Sequence, residues 1–272
     1  SILIPSCDHS SDLRTCVESI YRRSTYEDLE IIVIENNSRE PATFRCYEKL
    51  QKEHKNLKVI TWQGTGFNYS ALNNFGAKEA TGEYLLLLNN DTEVISPDFI
   101  EEMMGCLQRP DAGVVGAKLY FADHLVQHAG ILVGVRGALA HANQDFSAKR
   151  EGYLARAVRP GNFSAVTGAC QMVRRDVFEQ VGGYNEEFAV GFNDADFCLR
   201  VWEAGYRTIF TPYAELYHYE FTSRGREEAN EEKLRRWKRE QALFMQRWPE
   251  LFLDGDPWLG PNLSSDSEYF SF

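Results

Sequence analysis

Tyr84-Leu85-Leu86-Leu87-Leu88-Asn89-Asn90-Asp91-Thr92-Glu93 is the stretch on which the reading of this chain turns. Five mostly apolar residues give way abruptly to amides and acids. A short continuous apolar run reads as a strand buried on both faces. Polar groups at the carboxyl end of such a strand stand where open α/β sheets bind ligands. Asp91 offers a hard oxygen to a divalent cation, and Asn89 and Asn90 offer amides to a sugar or ribose. Alone, the segment reads equally well as a strand closed by an Asp/Asn turn, so the surrounding sequence has to decide.

Upstream, strands are expected at 1–5, 29–35 and 57–62, and helices at 12–23, 41–54 and 68–80. Leu13, Val17 and Ile20 recur at helical spacing, and Thr81-Gly82 stops the third helix. The resulting β-α-β-α-β-α-β order predicts an α/β fold with a mainly parallel central sheet and helices on both faces. Downstream, a helix over 97–108 leads to a strand over 113–120. Residues 121–162 are rich in Gly, Ala and His and show no clean period, which predicts short strands or an active-site flap. A strand at 165–174, a short helix at 176–181 stopped by Gly182-Gly183, and a helix at 194–204 follow. A strand at 206–211 is expected to be closed by Pro212. By residue type, Asp12, Asp176 and Asp194 suit helix N-caps.

A long helix is expected over 227–248, with Leu234, Trp237, Phe244, Met245 and Trp248 on one face and Arg235, Arg236, Lys238 and Arg239 beside them. Packing of that aromatic stripe on the domain is favoured over a membrane-surface role. The residues beyond it, with Pro257, Pro261 and many Ser and Asp, read as an extended tail.

The chain has 272 residues, 43% hydrophobic and 25% charged, long for one domain and short for two. A net charge of -11 argues against nucleic acid as the main partner. A negatively charged small ligand stays admissible, because a bound cation reverses the local field. The six cysteines, Cys7, Cys16, Cys46, Cys106, Cys170 and Cys198, form no C-x-x-C pair. They read as reduced thiols of a cytosolic protein. No apolar run approaches the about 18 residues of a membrane span, and no signal peptide is visible. The chain enters an apolar strand directly at Ser1, as a piece of a longer protein would.

Four segments place polar groups after strands or at a helix start: Pro5-Ser6-Cys7-Asp8, Glu35-Asn36-Asn37-Ser38, Asn89-Asn90-Asp91 and Gly191-Phe192-Asn193-Asp194-Ala195-Asp196. Any one could be a cap or a turn; together they fit a site along one edge of the sheet. Gly64-Thr65-Gly66 only partly matches a dinucleotide fingerprint and is not on the first strand. No Walker A sequence occurs. His124 and His128, four apart, could suit a metal on a helix, but the Gly, Ala and Val around them favour a structural or acceptor-facing role.

In this order, over 1–218, the motifs resemble the inverting family 2 glycosyltransferases of the GT-A fold. Ile2-Leu3-Ile4-Pro5-Ser6-Cys7-Asp8 is similar to that family's opening strand, and Glu30 to Ser38 to its second nucleotide-contacting strand. Asn68 to Gly76 and Ala80 to Tyr84 are similar to the stretch before the metal motif. Leu88-Asn89-Asn90-Asp91 resembles its Asp-x-Asp in the Asn-x-Asp form. Thr167-Gly168-Ala169 and Gly182-Gly183-Tyr184 resemble the acceptor-side segment, and Asn193-Asp194 stands where Glu-Asp is usual. A Gly-rich loop of the related sugar-nucleotide-forming nucleotidyltransferases is missing after Ile4.

The resemblance implies a Rossmann-like nucleotide-sugar half (1–96), an acceptor half (97–221), and a C-terminal helix and tail (222–272). It implies that Pro5, Cys7, Glu35, Asn36 and Asn68 line the base and ribose pocket, with Asn89 and Asn90 near the ribose and diphosphate. Asp91 and His218 would hold Mn2+ or Mg2+. Asp194 would be the base, with Asp196 as second candidate or acceptor contact. Asn89 and Asn193, each replacing an acid, remove negative charge near the metal. The implied partners are a nucleotide-diphosphate sugar donor and a glycan or lipid-linked acceptor. The implied setting is bacterial surface-polysaccharide synthesis of the rhamnosyltransferase-like kind, in the cytoplasm or against the inner face of the membrane. Two rivals stand beside this reading: a non-catalytic glycan- or nucleotide-binding module on the same fold, and a dinucleotide-dependent oxidoreductase.

Overall fold

Alternating apolar runs and amphipathic stretches organise the first third of the chain. In the computed structural model, which describes residues 1–219 and 230–272, they form β1 (Ile2–Ser6), α1 (Ser10–Arg23), β2 (Ile31–Glu35) and α2 (Pro41–Glu53). β3 (Leu57–Thr61), α3 (Tyr69–Glu79) and β4 (Tyr84–Leu88) follow. Leu13, Val17 and Ile20 are the buried stripe of α1. β1, β2, β3 and β4 lie parallel in the order β4-β1-β2-β3. The chain thus leaves β1 in one direction through β2 and β3, then crosses to its other side. That reversal opens a crevice at the carboxyl ends of β1 and β4.

The period-two geometry of β4 explains its continuous apolar run. Leu85 and Leu87 face a core built from α3 and later helices, whereas Leu86 and Leu88 face the core of α1 and α2.

The second part comprises β5 (Thr92–Val94), α4 (Phe99–Leu107), β6 (Ala112–Tyr120), β7 (Val126–His128), β8 (Ile131–Val133), β9 (Leu139–His141) and β10 (Gly161–Phe163). Then come β11 (Cys170–Arg174), α5 (Arg175–Gln180), α6 (Asn193–Glu203), β12 (Arg207–His218), α7 (Glu231–Arg247) and α8 (Pro249–Leu253). The main sheet runs β10-β12-β6-β11-β4-β1-β2-β3, with β5 on β12 and β7 on β6. β11 inserts antiparallel between β4 and β6. Residues 121–162 therefore hold short strands, as one of the two sequence readings has it.

Several expectations are corrected. Pro212 does not end its strand: β12 continues to His218, because the register on β6 jumps from Phe210↔Gly116 to Glu215↔Lys118. That bulge accommodates a proline without spending a ladder donor. Beyond it, β12 pairs antiparallel with β5, setting His218 opposite Thr92. The strand expected from 165 begins only at Cys170; Ala165 makes an isolated bridge with Ile131, and residues 167–169 line the crevice. Asp12, Asp176 and Asp194 lie inside the first turns of α1, α5 and α6 and not at the caps, which are His9, Arg174 and Phe192. An acid in the first turn still meets the positive end of the helix.

α7 starts at Glu231, capped by Asn230, whose side chain accepts from the Lys233 N–H. Residues 227–229 of the expected helix, and the expected boundary at 221/222, fall outside the described residues. Phe244 and Trp248 are buried, and Phe244 meets the rings of Phe188 and Phe192, so the aromatic stripe is packed on the domain. The tail is docked: Phe270 is buried near Phe163, and Asp256 accepts from the Val133 N–H at 2.7 Å.

Gly116 on β6 has no room for a side chain, since a Cβ would stand 2.4 Å from Val166 Cβ. Val166 precedes the turn that faces the crevice and is stiff at χ1. Gly116→Ala should therefore destabilise by about 1–3 kcal/mol, read as a lowered urea midpoint. An unchanged midpoint would contradict the packing described.

Candidate active site

The crevice at the ends of β1 and β4 is a cleft of about 1270 Å³, ample for a ligand larger than a drug-sized molecule. Pro5, Cys7, Asn36, Asn89, Asn90, Asp91, Asp194 and His218 all line it. Eight of the sequence-expected residues thus share one cavity. Glu35, Asn68 and Asp196 do not.

The end of β1 and the turn after β2 make one wall. Asp8 accepts from the Arg39 and Glu40 N–H groups, both at 2.9 Å, tying the loop after β1 to the start of α2. Partial burial would raise its carboxyl, but those N–H bonds prevail and hold it below the ordinary range. Burial, with Asp8 and Glu35 nearby, pushes the Cys7 thiol up. All six cysteines are free thiols. Glu35 is buried beneath this wall, where Oε1 accepts from the Ser38 N–H at 2.6 Å. It shapes the turn that presents Asn36 and does not reach the cleft. Asn68 is likewise corrected: its Oδ1 caps α3 by accepting from the Ala71 N–H, and its Nδ2 donates to the Glu186 carbonyl.

At the end of β4, Asn89 and Asp91 meet His218 across the β5–β12 pairing. His218 Nε2 lies 3.2 Å from Asp91 Oδ1 and 3.1 Å from Asn89 Nδ2. His218 Nδ1 is 2.7 Å from Gln127 Oε1, while Gln127 Nε2 donates to the His218 carbonyl. With Nδ1 donating to Gln127 Oε1, Nε2 is left as an acceptor for the Asn89 Nδ2–H, with the Asp91 carboxylate beside it. A carboxylate oxygen and an imidazole nitrogen at this spacing fit a divalent cation.

The start of α6 and the turn before β11 also line the cleft, and the Ala169 carbonyl of that turn accepts from the Asn89 N–H at 3.0 Å. Asp194 is half-buried; its Oδ2 accepts from the Gly168 N–H at 3.0 Å and its Oδ1 from the Ala195 N–H at 2.8 Å. Asn193 donates to the Val190 carbonyl. Asp196 points the other way. It is fully buried, with Arg200 Nε at 2.8 Å, Arg247 Nε at 3.0 Å and Trp248 Nε1 at 3.2 Å. Three donors and its place outside the cleft make it the anchor of α7 on α6, against the expectation of a second base or acceptor contact.

Gln127 and His141 were missed by the sequence reading. His128 is buried and pairs through Nδ1 with Nδ1 of His141, which lines the cleft, at 3.0 Å. Burial and the neighbouring His141 and His218 push His128 well below its ordinary value. His124 stacks on Tyr120 instead, so the His124/His128 spacing does not describe a metal pair. An expected strand register, with its alternation of faces, is the signal that could have set Gln127 against His218.

Comparison with known proteins follows the geometry. Residues 1–182 match the family described as glycosyl transferase family 2, and residues 156–222 match the N-terminal domain of galactosyltransferase. The uncharacterized protein y4gI of Sinorhizobium fredii is 42% identical over 99% of this chain and 30% of its own length. The O-antigen biosynthesis protein RfbC of Myxococcus xanthus is 37% identical over 97% of this chain and 20% of its own. The chain therefore spans less than a third of either relative. The N-acetylglucosaminyl-diphospho-decaprenol L-rhamnosyltransferase of Mycobacterium tuberculosis is 28% identical over 54% of this chain and 50% of its own. Among solved structures, GalNAc-T7 with UDP, GalNAc and Mn2+ superposes with a TM-score of 0.70 at 15% identity, over 92% of this chain and 49% of that one. The shared fold is GT-A. Among the described residues no helix is long and apolar enough to cross a membrane.

Asp196→Ala should leave the buried Arg200 guanidinium without its carboxylate and cost about 3–5 kcal/mol, measured by denaturant unfolding. A loss under about 1 kcal/mol would contradict the anchoring role.

Proposed function

Because the chain belongs to glycosyl transferase family 2, we propose that its cleft transfers a sugar, with inversion, from a nucleoside-diphosphate donor to a hydroxyl of a glycan or lipid-linked acceptor. The observation that carries this reading is that Asp91, His218 and Asp194, delivered by separate elements, line one cleft.

Each residue has a chemical task in that reading. Pro5, Cys7 and Asn36 line the pocket for base and ribose, and Asn89 and Asn90 lie toward ribose and diphosphate. Asp91 and His218 would hold Mn2+ or Mg2+, and Gln127 fixes the imidazole so that Nε2 faces the site. A divalent cation there would offset the charge gathering on the departing diphosphate. Asp194 takes the proton of the attacking hydroxyl. A carboxylate has about four lone-pair positions, and the Gly168 and Ala195 N–H groups occupy one on each oxygen. The carboxylate is thus held in place while it keeps an acceptor site for the proton.

The resemblance to RfbC and to the mycobacterial rhamnosyltransferase supports a role in bacterial surface-polysaccharide synthesis. The Mn2+, UDP and GalNAc of the GalNAc-T7 structure support a cation-assisted nucleotide-sugar site. The reaction would take place in the cytoplasm, at the inner face of the membrane where the acceptor is lipid-linked.

A panel of UDP-, GDP- and dTDP-sugars, screened with Mn2+ by thermal stabilisation, selects the donor; saturation at 100 times the dissociation constant adds about 2.7 kcal/mol. With that donor, Asp194→Asn should bind nearly as the unaltered protein does and lose single-turnover transfer by about 10²–10⁴-fold. Undiminished transfer in Asp194→Asn would assign the proton to another group.

A further inference from the structure

The loop 188–192 delivers α6, and with it Asp194, to the cleft. Its backbone is held from two sides. On one side is α3: the Tyr69 N–H donates to the Ala189 carbonyl at 2.7 Å and Ser70 Oγ to the Phe188 carbonyl at 2.7 Å. From the other side comes a single carboxylate of α7. Glu240 Oε1 accepts from the Ala189 N–H at 3.1 Å, and Oε2 from the Gly191 N–H at 2.7 Å. Glu240 is 1% exposed. A carboxylate buried to that degree is costly unless it is bonded. Burial pushes its carboxyl up, against the loop N–H groups and the charge of Arg236.

The loop needs this grip. Phe192, the residue before α6, has φ +63°, in the left-handed region that a bulky side chain rarely enters. Such a conformation persists only where its surroundings over-determine it. Here the Phe192 ring lies against Trp237 and Phe244, both of α7. A Cβ on Gly191 would stand 3.3 Å from Glu240 Oε2, a close contact that the glycine avoids. Gly191, Phe192, Trp237 and Asp194 all line the cleft, and Glu240 lies directly behind them. Position 240 also falls outside both matched family segments, 1–182 and 156–222.

We infer that Glu240 is a positioning residue for the transfer reaction: from the C-terminal helix it clamps the 189–191 backbone and so fixes where α6 presents Asp194. This rests on the reading of Asp194 as the base. Glu240 does not itself line the cleft; it meets the lining through the Gly191 N–H. Replacing it should change the rate of the proton-transfer step and leave donor binding intact.

The test measures donor affinity, single-turnover transfer and melting temperature for Glu240→Ala and Glu240→Gln, each alone and combined with Asp194→Asn. The donor is the one selected from the UDP-, GDP- and dTDP-sugar panel. Glu240→Ala should keep donor affinity within about two-fold and lose about 10- to 100-fold in transfer, since a small misplacement of a reacting group costs on that order. Glu240→Gln retains the shape but sets an amide N–H against one loop N–H, and should fall between the two. Combined with Asp194→Asn, neither change should cost its full factor again, because groups that act as a unit are not additive. Transfer within about two-fold of the unaltered protein in Glu240→Gln, or affinity and transfer falling together, overturns the inference; so does full additivity with Asp194→Asn. If Glu240→Ala does not fold, Glu240→Gln decides alone. Full transfer in Asp194→Asn sinks the base assignment and the premise with it. Normal transfer in the Glu240 variants beside an inactive Asp194→Asn sinks the Glu240 inference only.

Discussion

The approach of His218 Nε2 to Asp91 Oδ1 at 3.2 Å is the contact on which the rest of the site depends. Neither residue reaches the other through its own element alone. Asp91 leaves the end of β4, a strand buried on both faces whose position is fixed by two cores. His218 arrives at the end of β12, the longest strand, and gets there only because the bulge after Phe210 absorbs Pro212 and lets the strand resume against β5. Gln127 on β7 then sets the imidazole tautomer. Four strands converge so that a carboxylate oxygen and an imidazole nitrogen lie 3.2 Å apart at the cleft, a spacing that fits a divalent cation.

The second wall is built by different means. β11 runs antiparallel into an otherwise parallel region, so the turn before it, Thr167 to Ala169, arrives at the same sheet edge as the end of β4. The Gly168 N–H from that turn meets Asp194 at the start of α6. Behind α6 lies α7, which holds Asp196 through Arg247 and its C-cap Trp248, and the preceding loop through Glu240. The C-terminal helix is therefore structural support for the acid that faces the cleft. That role explains why its aromatic stripe is packed on the domain.

Much of this was legible in the sequence. The run of Leu85 to Leu88 ending in Asn89-Asn90-Asp91 specified a doubly buried strand with a polar carboxyl end, and both features are present. The ordered motifs pointed to the GT-A fold and to a cleft shared by Cys7, Asn36, Asp91, Asp194 and His218. The reading failed where side-chain direction or long-range pairing decides. Asp194 and Asp196 are two apart, so on a helix they cannot share a face; only tertiary packing selects which one meets the cleft. Glu35 and Asn68 are of suitable type and place, yet local backbone N–H groups compete for their oxygens and take them. Pro212 reads as a strand terminator because a bulge depends on the partner strand, which the local sequence does not contain. Gln127 and Glu240 follow no motif; their roles come from elements 91 and 49 residues away in the chain.

The most direct test of the account is the affinity for Mn2+, followed by loss of the free-ion electron paramagnetic resonance signal, in the presence of UDP, GDP or dTDP. The unaltered protein should bind Mn2+ more tightly with one of these diphosphates present than with none. His218→Ala should weaken that binding by at least about ten-fold while its melting temperature stays close to native. Equal Mn2+ affinity in the two proteins would contradict the account: the His218–Asp91 approach would then be a structural contact only.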